Sequence, residues 1–209
     1  SPGNSWTDQS SGSSHFTGVT RGNGTFVAVS SSGRILTSLD GSAWTFRSKS
    51  DYQLHGITYG DGTFVAVGEA GVILTSSDGS TWTIDTVSRT IQNSTLTNVI
   101  YANGKFVTVG NSGTILTSPG GSDGTWTLRT SGTTNAFSGI TYGDGTFVAV
   151  GEGGIILTSS DGSSWTPRTS GTSSFLIGIT QANGTFVAVG STGTILTSSD
   201  GSTWTSRTS

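Results

Sequence analysis

Carboxylates are the side chains of this sequence that could do chemistry, because a pair of them can supply the acid, base or nucleophile of a hydrolase. The chain has 12 Asp and Glu residues. Most of them recur at equivalent places of an internal repeat, either before a tryptophan, before a glycine, or in one loop position shared by Glu69 and Glu152. The three that break the pattern, Asp8, Asp51 and Asp85, form no recognisable acid–base pair. We therefore expect this protein not to be an enzyme.

Metal and cofactor chemistry is not indicated either. The two histidines, His15 and His55, stand apart at the starts of predicted strands, and the chain has no cysteine. A metal site needs several nitrogen, oxygen or sulfur ligands close together. We expect neither a metal ion nor a cofactor.

The charge of the chain limits its partners. The formal net charge is −3 at pH 7, and the lysines are Lys49 and Lys105 alone. Binding to nucleic acid requires a basic surface that displaces counterions, and no apolar run is long enough to span a membrane, so we expect neither partner. A chain rich in Ser, Thr and Gly but poor in Lys and Cys is typical of secreted bacterial proteins, which predicts an extracellular location.

The elements that position these side chains follow a repeat of about 40 residues that runs through the whole chain. One Phe of the repeat recurs at Phe26, Phe64, Phe106, Phe147 and Phe186, and one Trp at Trp44, Trp82, Trp126, Trp165 and Trp204. A period of this length with strand-type residues is the signature of a β-propeller blade. We predict an all-β fold, a single five-bladed β-propeller over residues 1–209, with four-stranded antiparallel blades near 16–50, 54–88, 96–132, 137–171 and 176–209.

Each repeat unit predicts four strands. The first strand ends at an Asn-Gly or Asp-Gly dipeptide, which suits a tight hairpin, and the second is the apolar FVAV or FVTV segment. The third strand is ILTS in every unit, and the fourth begins at the Trp. Pro167 lies in the fourth strand and cannot donate a ladder hydrogen bond, so we expect this strand to be the outer edge of its sheet.

The number of fourth strands exceeds the number of blades. Trp6 lies in a segment, residues 4–9, that resembles a fourth strand without its first three. This segment and residues 203–208 compete for one place in the last blade. One end could be loose, could add as an extra edge strand, or could pair with another molecule and form an oligomer. We favour the N-terminal segment as the extra strand, because the five C-terminal units are complete.

The turns before the Trp residues carry a family resemblance. They read SLDGSAW, SSDGSTW, SSDGSSW and SSDGSTW, which resembles the Asp-box, or BNR repeat, of sialidase-like β-propellers, although Asp and Gly adjoin here. The resemblance implies a structural role in the turn and between the sheets for Asp40, Trp44, Asp78, Trp82, Asp123, Trp126, Asp161, Trp165, Asp200 and Trp204. The sialidases' arginine triad is not recognisable, so the resemblance implies a non-catalytic member.

The remaining candidates are residues at which the units differ. One rim is expected to carry Tyr52, His55, Glu69, Arg89, Gln92 and Glu152, and the opposite rim Tyr59, Tyr101 and Tyr142. Aromatic rings beside amides and carboxylates suit sugars, so we expect a carbohydrate-binding, lectin-like module with repeated shallow sites. The alternatives are a protein-interaction scaffold that uses the irregular loops, and an engineered repeat protein with no native ligand. The tyrosines could also simply cover the turns.

Overall fold

The computed structural model describes residues 15–85, 93–121 and 125–208. These residues form five four-stranded antiparallel sheets, and the strands of each sheet are hydrogen-bonded in chain order. The five sheets are the blades of a β-propeller, as the repeat predicts. Within the same ranges, no helix is long and apolar enough to cross a membrane.

The strands recur at equivalent places of the five blades. The first strands are β1 (Phe16–Gly22), β5 (Leu54–Gly60), β9 (Leu96–Ala102), β13 (Phe137–Gly143) and β17 (Leu176–Ala182). The second strands are β2 (Thr25–Ser30), β6 (Thr63–Gly68), β10 (Lys105–Gly110), β14 (Thr146–Gly151) and β18 (Thr185–Gly190). The third strands are β3 (Arg34–Ser38), β7 (Ile73–Ser76), β11 (Ile115–Ser118), β15 (Ile156–Ser159) and β19 (Ile195–Ser198). The fourth strands are β4 (Thr45–Lys49), β8 (Thr83–Ile84), β12 (Thr127–Arg129), β16 (Thr166–Arg168) and β20 (Thr205–Arg207).

The hairpin between the first and second strands follows from its dipeptide. Asn23 and Gly24 have φ angles of 47° and 77°, so both residues are left-handed, as the tightest antiparallel turn requires. Gly22 pairs with Thr25 directly across this turn. The equivalent residues Asp61, Asn103, Asp144 and Asn183 also have positive φ. The register of each hairpin is therefore set by two residues.

The fourth strand is the exposed edge of each blade. Pro167 pairs with Leu157 on the inner side of β16, and Phe46, Ile84 and Leu128 are exposed at the equivalent places. The first strands lie at the opposite edge, where each packs against the first strand of the next blade. The fourth strands consequently lie at the outside of the fold, as predicted.

Consecutive blades pack through two unlike faces. We call the side of a blade that carries Val27, Val29 and Ile35 or their equivalents its Val face, and the side that carries Phe64, Ala66 and Leu74 or their equivalents its Phe face. The Val face of the first blade buries itself against the Phe face of the second. The same arrangement joins the second blade to the third, the third to the fourth and the fourth to the fifth. Each interface is thus a separate small hydrophobic core.

The two end faces of the blade series are not buried in this way. Among the described residues, no hydrophobic cluster joins the fifth blade to the first. Val19 of the first blade is 63% exposed, and Val189 of the fifth is 45% exposed. The described residues of these two blades therefore do not share a hydrophobic core as consecutive blades do. The extra strand expected at residues 4–9 lies outside the described residues.

Candidate functional site

The Asp turns close on themselves through the carboxylate. In the second blade, Oδ1 of Asp78 accepts hydrogen bonds from the backbone N–H groups of Ser80, at 2.7 Å, and Thr81, at 2.8 Å. It also accepts one from the hydroxyl of Ser76 at 2.9 Å. Trp82 then donates its indole N–H to the carbonyl of Gly79 at 3.0 Å. The carboxylate folds the turn and the turn orients the indole.

This arrangement recurs in three other blades. Asp40, Asp161 and Asp200 each accept from the two following turn amides and from the preceding serine. The indoles of Trp44, Trp165 and Trp204 donate to the glycine that follows each Asp. All four carboxylates are therefore occupied by their own turns.

The third blade closes its turn differently. Asp123 lies outside the described residues, and the hydroxyls of Ser118 and Thr125 share a hydrogen bond of 2.6 Å. Trp126 is buried, 6% exposed, against the second interface. Its indole N–H has no hydrogen-bond partner among the described atoms. Trp126 therefore still precedes the fourth strand of its blade. Its indole is buried, whereas the indoles of the other four blades are only half-buried.

The turn amides lower the pKa values of these carboxylates. Hydrogen bonds from the following backbone amides lower the pKa of Asp78, Asp161 and Asp200 from 3.8 to about 2, and that of Asp40 in the same direction. Hydrogen bonds to the charged form favour it. The unfolded chain therefore binds more protons than the folded chain between these two pH values.

We expect acid to weaken the fold through these turns. A carboxylate with a depressed folded pKa contributes stability above its unfolded pKa, and that stability is lost as pH falls through the folded value. Thermal unfolding followed by circular dichroism should show a falling midpoint from pH 5 to pH values near 2. The triple variant Asp78→Asn, Asp161→Asn, Asp200→Asn should be less stable at neutral pH and should respond less to acid. An equal acid response in both proteins would contradict this role.

The three tyrosines expected to bind ligand are sandwiched. The ring of Tyr59 lies 4.5 Å from that of Phe64, centroid to centroid, and its other side lies against Gly22 of the preceding blade, where no Cβ would fit. Tyr101 packs in the same way between Phe106 and Gly60. Tyr142 lies 4.5 Å from Phe147 and packs against the third interface. These rings cover the ends of the blade interfaces, and this packing does not favour stacking on a ligand.

The opposite rim forms a surface that we call the loop face. It consists of the loops between second and third strands (31–33, 69–72, 111–114, 152–155 and 191–194) and of the connections between blades (50–53, 93–95, 130–136 and 169–175). In each blade, the first loop residue donates its backbone N–H to the residue before the blade's first strand. The donors and acceptors are Ser31 and His15, Glu69 and Gln53, Asn111 and Thr95, Glu152 and Ala136, and Ser191 and Phe175, at 2.8–2.9 Å. The backbone of this face is a repeated frame.

The side chains on this frame differ between blades. Glu69 and Glu152 are exposed, as are Tyr52, at 41%, and Phe175, at 42%. Oε2 of Glu152 accepts the backbone N–H of Ala136 at 3.4 Å, which holds this carboxylate near the connection. The structure thus brings the carboxylates and an aromatic ring predicted from the sequence to one face. Arg89 and Gln92, predicted for the same rim, lie outside the described residues.

His55 occupies a position at which other blades have a threonine that donates a hydrogen bond to the next blade. The equivalent Thr17 donates its hydroxyl to the carbonyl of Leu54 in the next blade at 2.7 Å, and Thr97 donates to Phe137 at 2.7 Å. Burial lowers the pKa of His55, while the nearby Glu69 acts in the opposite direction. Burial thus favours the neutral form of His55 near Glu69 of the loop face.

With this geometry in place, comparison with known proteins assigns the chain to a family. Residues 81–209, more than half of the chain, match the model of the family described as the DUF6242 beta propeller domain. The chain belongs to the DUF6242 β-propeller domain family. The search of curated proteins found no match.

Solved β-propellers resemble this DUF6242 domain in fold. The structure titled YCF48 bound to D1 peptide superposes with a TM-score of 0.72 at 18% identity, over 92% of this chain and 66% of that chain. YCF48 from Cyanidioschyzon merolae gives 0.68 at 18% identity, over 93% and 72%. The WD40 propeller domain of Doa1 gives 0.68 at 13% identity, over 88% and 64%. The chain thus spans about two thirds of these neighbours' lengths, and the likeness at this identity is one of fold.

Two features of the DUF6242 domain are not evident in its sequence. Arg47, Arg129, Arg168 and Arg207 recur three residues after a Trp, and each donates its Nε–H to the threonine hydroxyl of the adjacent ILTS strand at 2.7–2.8 Å. Their period is visible in the sequence, whereas their partner is not. The second feature is the exposure of Phe175: the sequence places this residue in a connection on the loop face but does not show that its ring is 42% exposed. Within the described ranges, no three His, Cys, Asp or Glu side chains lie where they could share a metal ion.

Proposed function

We propose that this protein is a non-catalytic binding module whose loop face holds a peptide segment of another protein. The observation that carries the proposal is the contrast between a repeated backbone frame and the unlike side chains mounted on it. Every blade uses the same loop-to-strand hydrogen bond, yet the first loop residue is Ser31, Glu69, Asn111, Glu152 or Ser191. A lectin with repeated sites would place similar groups at similar positions.

The side chains of the loop face favour a basic peptide with apolar residues. Glu69 and Glu152 present exposed carboxylates, and Tyr52 and Phe175 present partly exposed rings. Carboxylates pair with Lys or Arg, and aromatic rings take up apolar side chains or stack on guanidinium groups. The net charge of −3 also favours a cationic partner. That YCF48 was solved with a D1 peptide supports a peptide as the class of ligand for this fold.

A carbohydrate ligand, which the sequence analysis favours, is the alternative. In the sequence, its main support is the set of three tyrosines on one rim. In the structure, both sides of the aromatic rings of Tyr59 and Tyr101 are occupied by protein atoms. We also infer that the chain is related to the Asp-box propellers. The Asp–amide bonds and the Trp–Gly bonds of four blades support this relation.

We expect the loop-face carboxylates to control peptide binding. The folded protein, fluorescently labelled, would be applied to an array of synthetic 12–15-residue peptides whose Lys and Arg content is varied at constant length, alongside a glycan array. Peptides that combine basic and aromatic residues should bind. The double variant Glu69→Gln, Glu152→Gln should weaken binding about tenfold or more, since each ion-assisted hydrogen bond contributes roughly 1.5–3 kcal/mol.

The matched control removes two charges from the opposite rim. Asp61→Asn, Asp144→Asn makes the same change of net charge in hairpin turns that already hold Asn at Asn23, Asn103 and Asn183, and it should bind as the parent does. Equal weakening in both double variants would show general charge attraction and would contradict a loop-face site. Binding to glycans alone would establish the lectin alternative. Silence on both arrays would favour a repeat protein without a native ligand.

A further inference from the structure

The two end faces of the described blades, the Phe face of the first and the Val face of the fifth, are of the two kinds that meet at every blade interface. Every blade interface joins a Val face to the Phe face of the next blade. On the Phe face of the first blade Ala28 and Leu36 are buried but Val19 is exposed, and on the Val face of the fifth blade Val189 is exposed. Among the described residues, no hydrophobic cluster joins either face to another blade. The halves left over are therefore complementary by the rule that builds the other four interfaces.

The exposure of equivalent residues shows how far the end faces differ from the others. On the Phe side, Val19 is 63% exposed, whereas Val99 and Ile140 are 3% and 4% exposed. On the Val side, Val189 is 45% exposed, whereas Val29, Val67, Val109 and Val150 are all 0% exposed. The same kinds of residue are thus buried at four interfaces and left in contact with solvent at the two ends.

The uncovered Phe face forms an open groove of about 450 Å³. Its lining consists of Phe16, Thr17, Gly18, Val19, Ala28, Leu36 and Trp44. None of these residues carries a charge, so a second apolar face could enter without desolvating an ion. Contiguous exposed apolar surface of this kind marks interaction sites in soluble proteins.

The fifth blade differs at its end in a way that suits an apolar contact. At the position where Thr17 and Thr97 donate a hydroxyl to the next blade, the fifth blade has Ile177, which is 55% exposed. Ile177 and Val189 extend the uncovered Val face by two branched aliphatic side chains. A polar side chain is thus replaced by an apolar one on the Val face of the fifth blade.

We propose that the fifth blade of one copy packs on the first blade of a second copy, Val face on Phe face. Among the described residues, no hydrophobic cluster joins the two ends of a single chain, so the complementary half comes from another molecule. Such a contact joins unlike surfaces and is heterologous, so it gives a closed ring if the rotation closes and a longer head-to-tail assembly if it does not. It requires no strand exchange.

The oligomeric state of the full 209-residue chain tests the proposal. Light scattering coupled to size-exclusion chromatography over a hundredfold concentration range should show at least a doubling of the molar mass of the parent protein. Val19→Asp spoils the Phe face of the first blade, and Val189→Asp spoils the Val face of the fifth. Each variant alone should remain a monomer. Because both side chains are exposed, circular dichroism should show both variants folded.

Mixing the two variants gives the decisive result. Val19→Asp retains an intact fifth blade and Val189→Asp an intact first blade, so an equimolar mixture should form a dimer that cannot grow further. The control is a mixture of Ile177→Asp and Val189→Asp, in which both partners lack the Val face of the fifth blade; this mixture should stay monomeric.

Three outcomes would overturn the proposal. A parent protein that is monomeric throughout the concentration range excludes it. A mixture of Val19→Asp and Val189→Asp that stays monomeric excludes the head-to-tail contact. A monomeric parent whose thermal midpoint drops equally in both variants would show that the two ends of one chain pack on each other instead.

Discussion

Replacing Phe106 by Ala should lower the free energy of unfolding by about 3–5 kcal/mol. Phe106 is fully buried at the second interface, with its ring 4.7 Å from that of Tyr101 and 6.3 Å from that of Trp126, centroid to centroid. Truncation leaves a cavity lined by these aromatic rings and by the Val face of the preceding blade. Because the rings are held by their own strands, they cannot collapse into the space.

Urea unfolding followed by tryptophan fluorescence measures this effect. For a chain of this size the expected drop in the thermal midpoint is roughly 6–20 °C. Leu128→Ala is the control, since Leu128 lies on the edge strand of the same blade and is 61% exposed; it should change stability by less than about 0.5 kcal/mol. Similar losses in both variants would mean that the interface between the second and third blades is not a separate core.

Replacing Gly154 by Ala should destabilise the fold by about 2–4 kcal/mol, from overpacking together with left-handed strain. Gly154 ends the loop after β14 with a φ of 73°. An added Cβ would lie far inside van der Waals contact with the backbone carbonyl of Thr172 in the following connection. A backbone atom cannot turn away as a side chain can. The substitution should therefore push the connection off the loop face.

Gly184→Ala separates the two causes. Gly184 also has a φ of 73°, but no atom lies within 4 Å of the position of an added Cβ. It should cost only the left-handed strain, about 1–2 kcal/mol. Thermal unfolding of both variants should show the larger loss for Gly154→Ala, and a peptide found to bind the loop face should lose affinity for that variant alone. Equal losses would show that loop and connection do not touch closely in solution.

The local parts of this fold were predictable because their causes are local. The Asn-Gly and Asp-Gly hairpins need only two residues with positive φ, and Asn23 and Asp61 have this conformation. Pro167 excludes a ladder hydrogen bond by its own chemistry and lies at an edge. The Asp turns use donors within three residues of each carboxylate. Neighbours along the chain are sufficient for all these features.

The parts that depend on neighbouring blades could not be predicted in the same way. The position of Tyr59 depends on Gly22, a residue of the preceding blade, which accommodates the ring because it lacks a Cβ. Val19 belongs to the same pattern as Val99 and Ile140, and a pattern identical in each unit predicts burial in each unit. Val19 is nevertheless exposed, because no hydrophobic cluster of the described residues joins its side of the first blade to another blade. Glu69 and Glu152 lie on one rim because the order of the strands determines which loops emerge together.

The self-contained turn also bears on how such chains can change length in evolution. The hydrogen bonds of the Asp78 turn begin and end within residues 76–82. A duplication of about 40 residues would therefore contain a complete blade together with all the hydrogen bonds of its Asp turn. The new blade would present the same Val and Phe faces to its neighbours. Unequal recombination could then lengthen or shorten the gene by whole units without any compensating mutation. Copy number would be among the easiest properties of this protein for selection to alter.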